Sequence, residues 1–195
     1  MPSDRTGRPE GAIGITGTPG TGKKTVGGLL ARLLNYDLLD LNQLAIEKGA
    51  TMGEDEHGFI ADTDLLRKYA REAVKGKRVV VVGHLLPSVF SKREIKLIVV
   101  LRCSPLELEN RYRSRNYGAE KVKENIASEI LGICSYDALK KFGRERVAEF
   151  DTTGRGAHSV VEDIIKVIKG ESPKRVGFVD WLQHLHAEQL NCFFG

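Results

Sequence analysis

The sequence predicts an α/β fold built on a parallel β-sheet, and three observations carry that prediction. Short β-branched runs without alternation recur, as at Arg78–Val82 (R-V-V-V-V) and Ile95–Leu101 (I-K-L-I-V-V-L). Such runs suit strands buried on both faces, the usual state of parallel strands covered by helices. Segments with apolar residues at helical spacing lie between them, and glycine, proline and polar clusters mark the joins.

The elements follow in order. Ala12–Thr16 is a short apolar strand after the polar leader MPSDRTGRPEG, and it runs into a glycine-rich turn. Lys23–Asn35 sets Val26, Leu29, Leu30, Leu33 and Leu34 at helical spacing. Leu38–Leu41 reads as a second strand, and Asn42–Lys48 as a short helix stopped at Gly49. Thr51–Ile60 is rich in glycine and acids and reads as a loop. Its Glu54, Asp55 and Glu56 are assigned no catalytic role. Asp62–Lys75 is helical through Leu65, Leu66, Tyr69 and Ala73, with Gly76 as its stop. After the strands Arg78–Val82 and Ile95–Leu101, Ser104-Pro105-Leu106-Glu107 carries the pattern of a capping box with proline at the first helical position. Glu120–Lys140 presents Val122, Ile126, Ile130 and Ile133 on one helical face. Val147–Asp151 is a fifth strand, and Val160, Val161, Ile164, Ile165 and Ile168 mark a further helix. A linker, Glu171–Arg175, leads to a last apolar segment, Phe178–Leu190, in which Trp181 with Leu182 and Leu185 is expected to pack the tail onto the domain.

Composition narrows the class. A chain of 195 residues suits one domain with small inserts. With 41% apolar and 29% charged residues it is neither disordered nor collagen-like. Its 30 Lys and Arg against 26 Asp and Glu give a net charge of +4, which permits an anionic ligand or RNA without demanding one. Three scattered cysteines, Cys103, Cys134 and Cys192, have neither zinc spacing nor a disulfide framework, so a reducing, cytoplasmic setting is expected. The leader has no apolar stretch and no run approaches a membrane span, so neither a secretory signal nor membrane insertion is expected. His184 and His186 lie two apart on an expected helix and do not share a face, which sets aside a metal site with Cys192.

The strongest signal is Gly17-Thr18-Pro19-Gly20-Thr21-Gly22-Lys23-Lys24-Thr25, between the first strand and the first helix. That is the context of a phosphate-binding loop. Glycines let successive backbone N–H groups curl around phosphate oxygens, and the helix N-terminus adds free N–H groups and partial positive charge. Gly17, Gly20, Thr21, Gly22, Lys23, Lys24 and Thr25 are the candidate phosphate-binding residues. Two positions depart from the common pattern. The residue after the loop lysine is normally Ser or Thr, whose hydroxyl ligates Mg²⁺; here it is Lys24, which has no lone pair to give. Either Mg²⁺ is held through phosphates and water, or metal handling is weakened; Lys24 as a neutraliser of phosphate charge is a further option. The strand Arg78–Val82 also ends in Val82-Gly83-His84, without the carboxylate that usually supports the metal. His84 is read either as a group that orients water or meets the γ-phosphate, or as a hydrogen-bonded loop histidine. Arg102, Arg111, Arg113, Arg115 and Tyr117 form a basic stretch. Within it Arg111 and Arg115, four apart, are expected on one helical face as phosphate-directed arginines in a mobile lid.

These motifs, in this order, resemble the adenylate kinase isoenzyme 6 family, nuclear-type adenylate kinases and ribosome-assembly ATPases, in its archaeal branch. The resemblance rests on I-T-G-T-P-G-T-G-K at Ile15–Lys23, D-L-N-Q-L-A at Asp40–Ala45 and G-H at Gly83–His84. It continues through V-L-R at Val100–Arg102, N-R-Y-R-S-R-N-Y at Asn110–Tyr117 and E-N-I-A-S-E-I at Glu124–Ile130. D-T-T at Asp151–Thr153 and V-D-W-L at Val179–Leu182 complete it. It implies a P-loop NTPase fold of the nucleoside monophosphate kinase type, with a five-stranded parallel sheet. The kinase domain would span 1–170, with a monophosphate-binding region at about 40–63 and a lid at about 114–124, followed by a C-terminal tail or helix at 171–195. It further implies ATP and Mg²⁺ as cofactors, AMP or another nucleoside monophosphate as acceptor, and Lys23, His84, Arg111 and Arg115 as catalytic residues, with Arg115 reaching the ATP phosphates. A small-subunit ribosomal protein and pre-rRNA are the implied macromolecular partners. Val82 stands where the family has an acid tied to hydrolysis, and Arg115-Asn116-Tyr117 replaces Arg-Gly-Tyr. Two other readings stand beside the kinase: a catalytically weak, nucleotide-dependent ribosome-assembly factor, and another small-metabolite P-loop kinase.

Overall fold

A computed structural model describes residues 11–55, 58–115 and 117–194, the side chains of 54, 55, 58, 59 and 189–192 excepted. Residues 1–10, Glu56, His57, Asn116 and Gly195 lie outside the described residues.

Five strands make one sheet: β1 (Ala12–Gly17), β2 (Asp37–Asp40), β5 (Val79–Val82), β6 (Ile95–Arg102) and β7 (Val147–Asp151). Their order is β2-β5-β1-β6-β7, and every neighbouring pair is parallel. The same five strands are those the sequence predicts. Both faces of the sheet are covered. Ile13, Ile15, Val80, Val82, Val99 and Leu101 point to the face packed by α1 (Lys23–Leu34) and α8 (Ala157–Lys169). Val79, Val81, Ile98 and Val100 point to the other, packed by α2 (Leu41–Glu47), α3 (Thr63–Val74), α4 (Leu86–Val89) and α7 (Ile133–Phe142). Burial on both faces is why these strands lack polar alternation. A third cluster joins α5 (Pro105–Arg113) and α6 (Ala119–Ile130) to the C-terminal α9 (Trp181–His184) and α10 (Ala187–Phe194) through Leu108, Tyr112, Ile126, Ile130, Trp181 and Phe193. No helix among the described residues is long and apolar enough to cross a membrane.

Four local expectations are corrected. Thr51–Ile60 is an antiparallel hairpin, β3 (Thr51–Asp55) with β4 (Gly58–Ala61), rather than a loop; backbone pairing overrides its glycine and acid content. Leu41 opens α2 instead of ending β2, because the Asp40 carboxylate caps the helix by accepting from the N–H groups of Asn42 (2.9 Å) and Gln43 (3.3 Å). Glu120–Lys140 is two helices, broken where Gly132 takes φ 66°. The capping box does not form. Ser104 makes no side-chain cap, and Glu107 instead accepts from Gly154 N–H (2.7 Å) and from Arg111.

Candidate active site

In a parallel sheet every strand delivers its carboxyl end to the same edge, and ligands gather there. That edge collects Gly17 from β1, Asp40 from β2, Val82 and then His84 from β5, Arg102 from β6, and Asp151 with Thr152–Arg155 from β7.

The phosphate loop runs from Gly17 to Lys23. Two of its glycines are required by close neighbours: a Cβ at Gly17 would lie 2.3 Å from the Leu101 carbonyl oxygen. One at Gly20, where φ is +85°, would lie 2.9 Å from the Tyr112 ring. Thr21 turns its hydroxyl inward, donating to the Thr18 carbonyl at 2.9 Å. Gly22 precedes α1 with φ 96° and no side chain caps the helix, so its first N–H groups face outward as anion donors. Lys23 Nζ donates to the carbonyls of Gly17 (2.8 Å) and Thr18 (2.9 Å), which fixes the ammonium at the mouth of the loop. Burial pushes its pKa down to about 8, against the opposing pull of Cys134, Glu129 and Asp40.

Behind the loop lies a buried polar network. Thr18 Oγ1 donates to Glu129 Oε2 at 2.6 Å. Glu129 Oε1 accepts from Arg102 Nε (2.7 Å), Cys103 N–H (3.2 Å) and Trp181 Nε1 (3.0 Å). Arg102 also faces Glu149 at 3.6 Å and donates to Ser135 (3.3 Å) and the Val179 carbonyl (3.4 Å). Arg102, Glu129 and Glu149 are each under 5% exposed, so the charges are buried and their hydrogen-bonding positions filled from the loop, two strands and the tail. Trp181 thereby packs the tail onto the domain and bonds to it as well.

In front of the loop is a cleft of about 260 Å³ lined by Gly20, Thr25, Arg111, Arg115, Thr152 and Arg155, among others. Arg111 Nη1 donates to the Gly20 carbonyl at 2.7 Å, and the Tyr112 hydroxyl donates to the Pro19 carbonyl. Helix α5 ends at Arg113, and Arg115 follows in a turn closed by its N–H to the Tyr112 carbonyl (3.0 Å). A shared helical face therefore does not bring Arg111 and Arg115 together; the turn after α5 does. Thr25 faces this cleft. Thr152 stands in the Asp151–Thr153 motif quoted above without an assigned role, and Arg155 was not singled out from the sequence. Arg155 is held by Asp163 and Ser159 at 2.7 Å each. The sequence signal for Arg155 is its position just past the last strand.

His84 sits exposed at the same edge. Desolvation by the surrounding protein, followed by repulsion from Lys23 and Lys121, pushes its pKa down to about 4, so it stands as neutral imidazole at neutral pH. Lys24 turns away from the cleft side and pairs with Asp40 at 2.8 Å. The donor set does not fit a protein-held Mg²⁺. Lys24 offers no lone pair, Val82 is 1% exposed and apolar, and both Asp40 oxygens are engaged, by the α2 cap and by Lys24. Among the described residues no group of three or more His, Cys, Asp or Glu could hold a metal ion, and His184 ends α9 while His186 lies beyond it. The side chain of Cys192 lies outside the described residues. Cys103 is buried, and desolvation raises its thiol to about 11, which makes it inert.

Comparison with known proteins agrees with this geometry. A family described as "AAA domain" matches residues 13–132. A protein of Thermococcus kodakarensis named "Putative adenylate kinase" is 42% identical over 170 residues, covering 87% of this chain and 92% of its own. A protein of the same name from Methanocaldococcus jannaschii is 34% identical, covering 88% of this chain and 93% of its own. Among solved structures, shikimate kinase from Acinetobacter baumannii in complex with shikimate superposes with a TM-score of 0.62 at 17% identity, over 88% of this chain and 100% of that one. A gluconokinase from Sinorhizobium meliloti gives 0.56 at 18% identity, over 84% of this chain and 94% of that one. Both structures share the P-loop kinase fold with this chain.

Proposed function

Because the chain belongs to the archaeal family whose members are named adenylate kinases in this way, and carries the AAA-domain match over most of its length, we propose that it transfers the γ-phosphoryl of ATP to AMP. We place it in the isoenzyme 6 branch on the motifs quoted above. The observation that carries the reading is Lys23 fixed by two loop carbonyls at the uncapped N-terminus of α1, with a cleft lined by Gly20, Gly22, Arg111 and Arg115 beside the same loop.

The loop N–H groups and Lys23 hold the β- and γ-phosphates, and the cleft between Thr25, Thr152 and Arg155 takes the rest of ATP. Arg115, with Arg111 beside it, neutralises charge on the phosphoryl group in flight. Such a site works by positioning and charge stabilisation, with no covalent intermediate on the protein. His84, neutral and within electrostatic reach of Lys23, positions the acceptor or a water without carrying charge. AMP approaches over α2 and the β3–β4 hairpin, within the region at about 40–63. Arg115 and the turn after it, within about 114–124, act as the lid. ATP hydrolysis in the absence of AMP is a side activity.

The test is ADP formation from ATP with and without AMP, for the wild type and Lys23→Ala. AMP should drive turnover, and Lys23→Ala should lower it by about 10²-fold or more, the size of a lost transition-state contact. Turnover indifferent to AMP, or unchanged in Lys23→Ala, would overturn the assignment. Stimulation by another small hydroxylated acceptor in place of AMP would favour a different small-metabolite kinase.

Lys24 and Val82 favour a second reading, in which slow chemistry serves a nucleotide-switched assembly factor that binds a small-subunit ribosomal protein or pre-rRNA. Capture of such a protein by the ATP-bound form and not by the ADP-bound form would support it.

A further inference from the structure

The residues that depart from the usual phosphate loop do not stand apart from one another. Lys24 follows the loop lysine, and its ammonium meets Asp40 at 2.8 Å. Asp40 ends β2, the strand hydrogen-bonded to β5, and in that pairing it stands opposite Val82, the place where a metal-supporting acid is absent. Asp40 is also close enough to act on the Lys23 ammonium, so the Lys24–Asp40 pair lies beside the loop lysine. The two partners differ in freedom. The Asp40 side chain is 11% exposed and anchored by the α2 cap, whereas that of Lys24 is 73% exposed. The ammonium can therefore leave its partner without disturbing the fold, while the carboxylate stays.

We propose that this chain binds nucleotide without a divalent metal held by the protein: Lys24, resting on Asp40, swings to the phosphates and supplies there the positive charge that a hydroxyl-held metal supplies in other phosphate loops. The physical case is one of exchange. A loop with Ser or Thr after the lysine gives the metal one oxygen and gains two positive charges at the β- and γ-oxygens. Lys24 gives no oxygen but brings one charge and three donors, and an ammonium–phosphate hydrogen bond is among the strong ones. With Lys23, Arg111 and Arg115 facing the same phosphates, metal-free ATP meets enough cationic groups to be held. Magnesium carried in on ATP then adds little, because Lys24 and Val82, at the two positions that commonly support it, offer it no oxygen.

The inference rests on the nucleotide site proposed above, and the experiment separates the two. Isothermal titration with ATP is run once in EDTA and once in magnesium chloride, for the wild type, Lys24→Ala and Lys24→Thr. The wild-type dissociation constant should differ by less than threefold between the two conditions. Lys24→Ala should bind metal-free ATP about tenfold more weakly, the loss of one charge-assisted hydrogen bond. Lys24→Thr, which trades the ammonium for a hydroxyl, should shift the ratio of the two constants about tenfold towards magnesium. A wild type that loses more than threefold in EDTA overturns the proposal. So does a Lys24→Ala variant that binds metal-free ATP as well as the wild type, or a Lys24→Thr ratio that does not move. Failure of the wild type to bind ATP in either condition would overturn the nucleotide site itself, and this proposal with it.

Discussion

Replacing Glu129 by glutamine changes one charge and almost no shape, at the centre of the buried network behind the phosphate loop. Its carboxylate takes four donors: Thr18 Oγ1 on one oxygen, and Arg102 Nε, Cys103 N–H and Trp181 Nε1 on the other. An amide keeps all four links if its carbonyl takes the three donors and its NH₂ donates to a reversed Thr18 hydroxyl. Only the charge is lost. Arg102, with 4% of its side chain exposed, then has Glu149 at 3.6 Å as its remaining counter-charge. Breaking one partner of a buried pair costs 3–5 kcal/mol, and the retained hydrogen bonds put this case at the low end, about 3 kcal/mol. For a chain of this length that lowers Tm by about 6–12 °C. Urea denaturation measures the free energy and a thermal melt the shift. The exposed pair Arg113–Glu109 supplies the control, since Glu109→Gln should cost less than about 1 kcal/mol. A loss below about 1 kcal/mol in Glu129→Gln as well would show that Glu149 suffices for Arg102 and that the charge of Glu129 is not what closes the network.

Two further outcomes concern protons. Lys23, lowered to about 8 by burial, is largely neutral in the free protein at pH 9, and phosphate favours its charged form. ATP binding at that pH should take up a proton, seen as a difference in titration heat between buffers of unlike ionisation enthalpy; the difference should be smaller at pH 7.5, where more of the lysine is already charged, and its absence at pH 9 would refute the depressed lysine. For His84 the folded value of about 4 lies below the ordinary 6.5. Between those limits the unfolded chain binds the extra proton, so folding stability falls as pH drops through the window and is whole above it. Urea midpoints at pH 7 and pH 5 should therefore converge in His84→Gln relative to the wild type, and equal slopes in both proteins would count against the shift.

Much of the scaffold was readable because burial leaves a mark on composition. β1, β5 and most of β6 are buried and apolar along their length, so they stand out without structural help, whereas the edge strand β2 shows only as the short apolar pair Leu38-Leu39. The phosphate loop is local, and its spacing is its geometry. What escaped the sequence is held by distant partners. Gly132 breaks a helix whose apolar period runs on through it, since a single positive φ leaves no trace in periodicity. Glu107 has the spacing of a cap but is drawn to the β7–α8 loop. Glu129 looks like any acid on a polar helix, although it is among the most buried charges in the chain. Lys24 and Asp40 meet only because β2 lies beside β5, and Thr152 and Arg155 reach the cleft only because β7 ends at the same edge as β1.

The strand order also bears on how the molecule is made. During synthesis β1 and β2 emerge first, yet they are not neighbours: β1 lies between β5 and β6, and β2 pairs with β5. Neither early strand has anywhere to dock until Val79–Val82 has left the ribosome, and the phosphate loop waits longer still for Glu129 and Trp181. Long-range parallel pairing of this kind is slow and leaves apolar edges open meanwhile. The nascent chain thus passes through a stage in which its first two strands and the helix between them have emerged while the sheet they belong to does not exist.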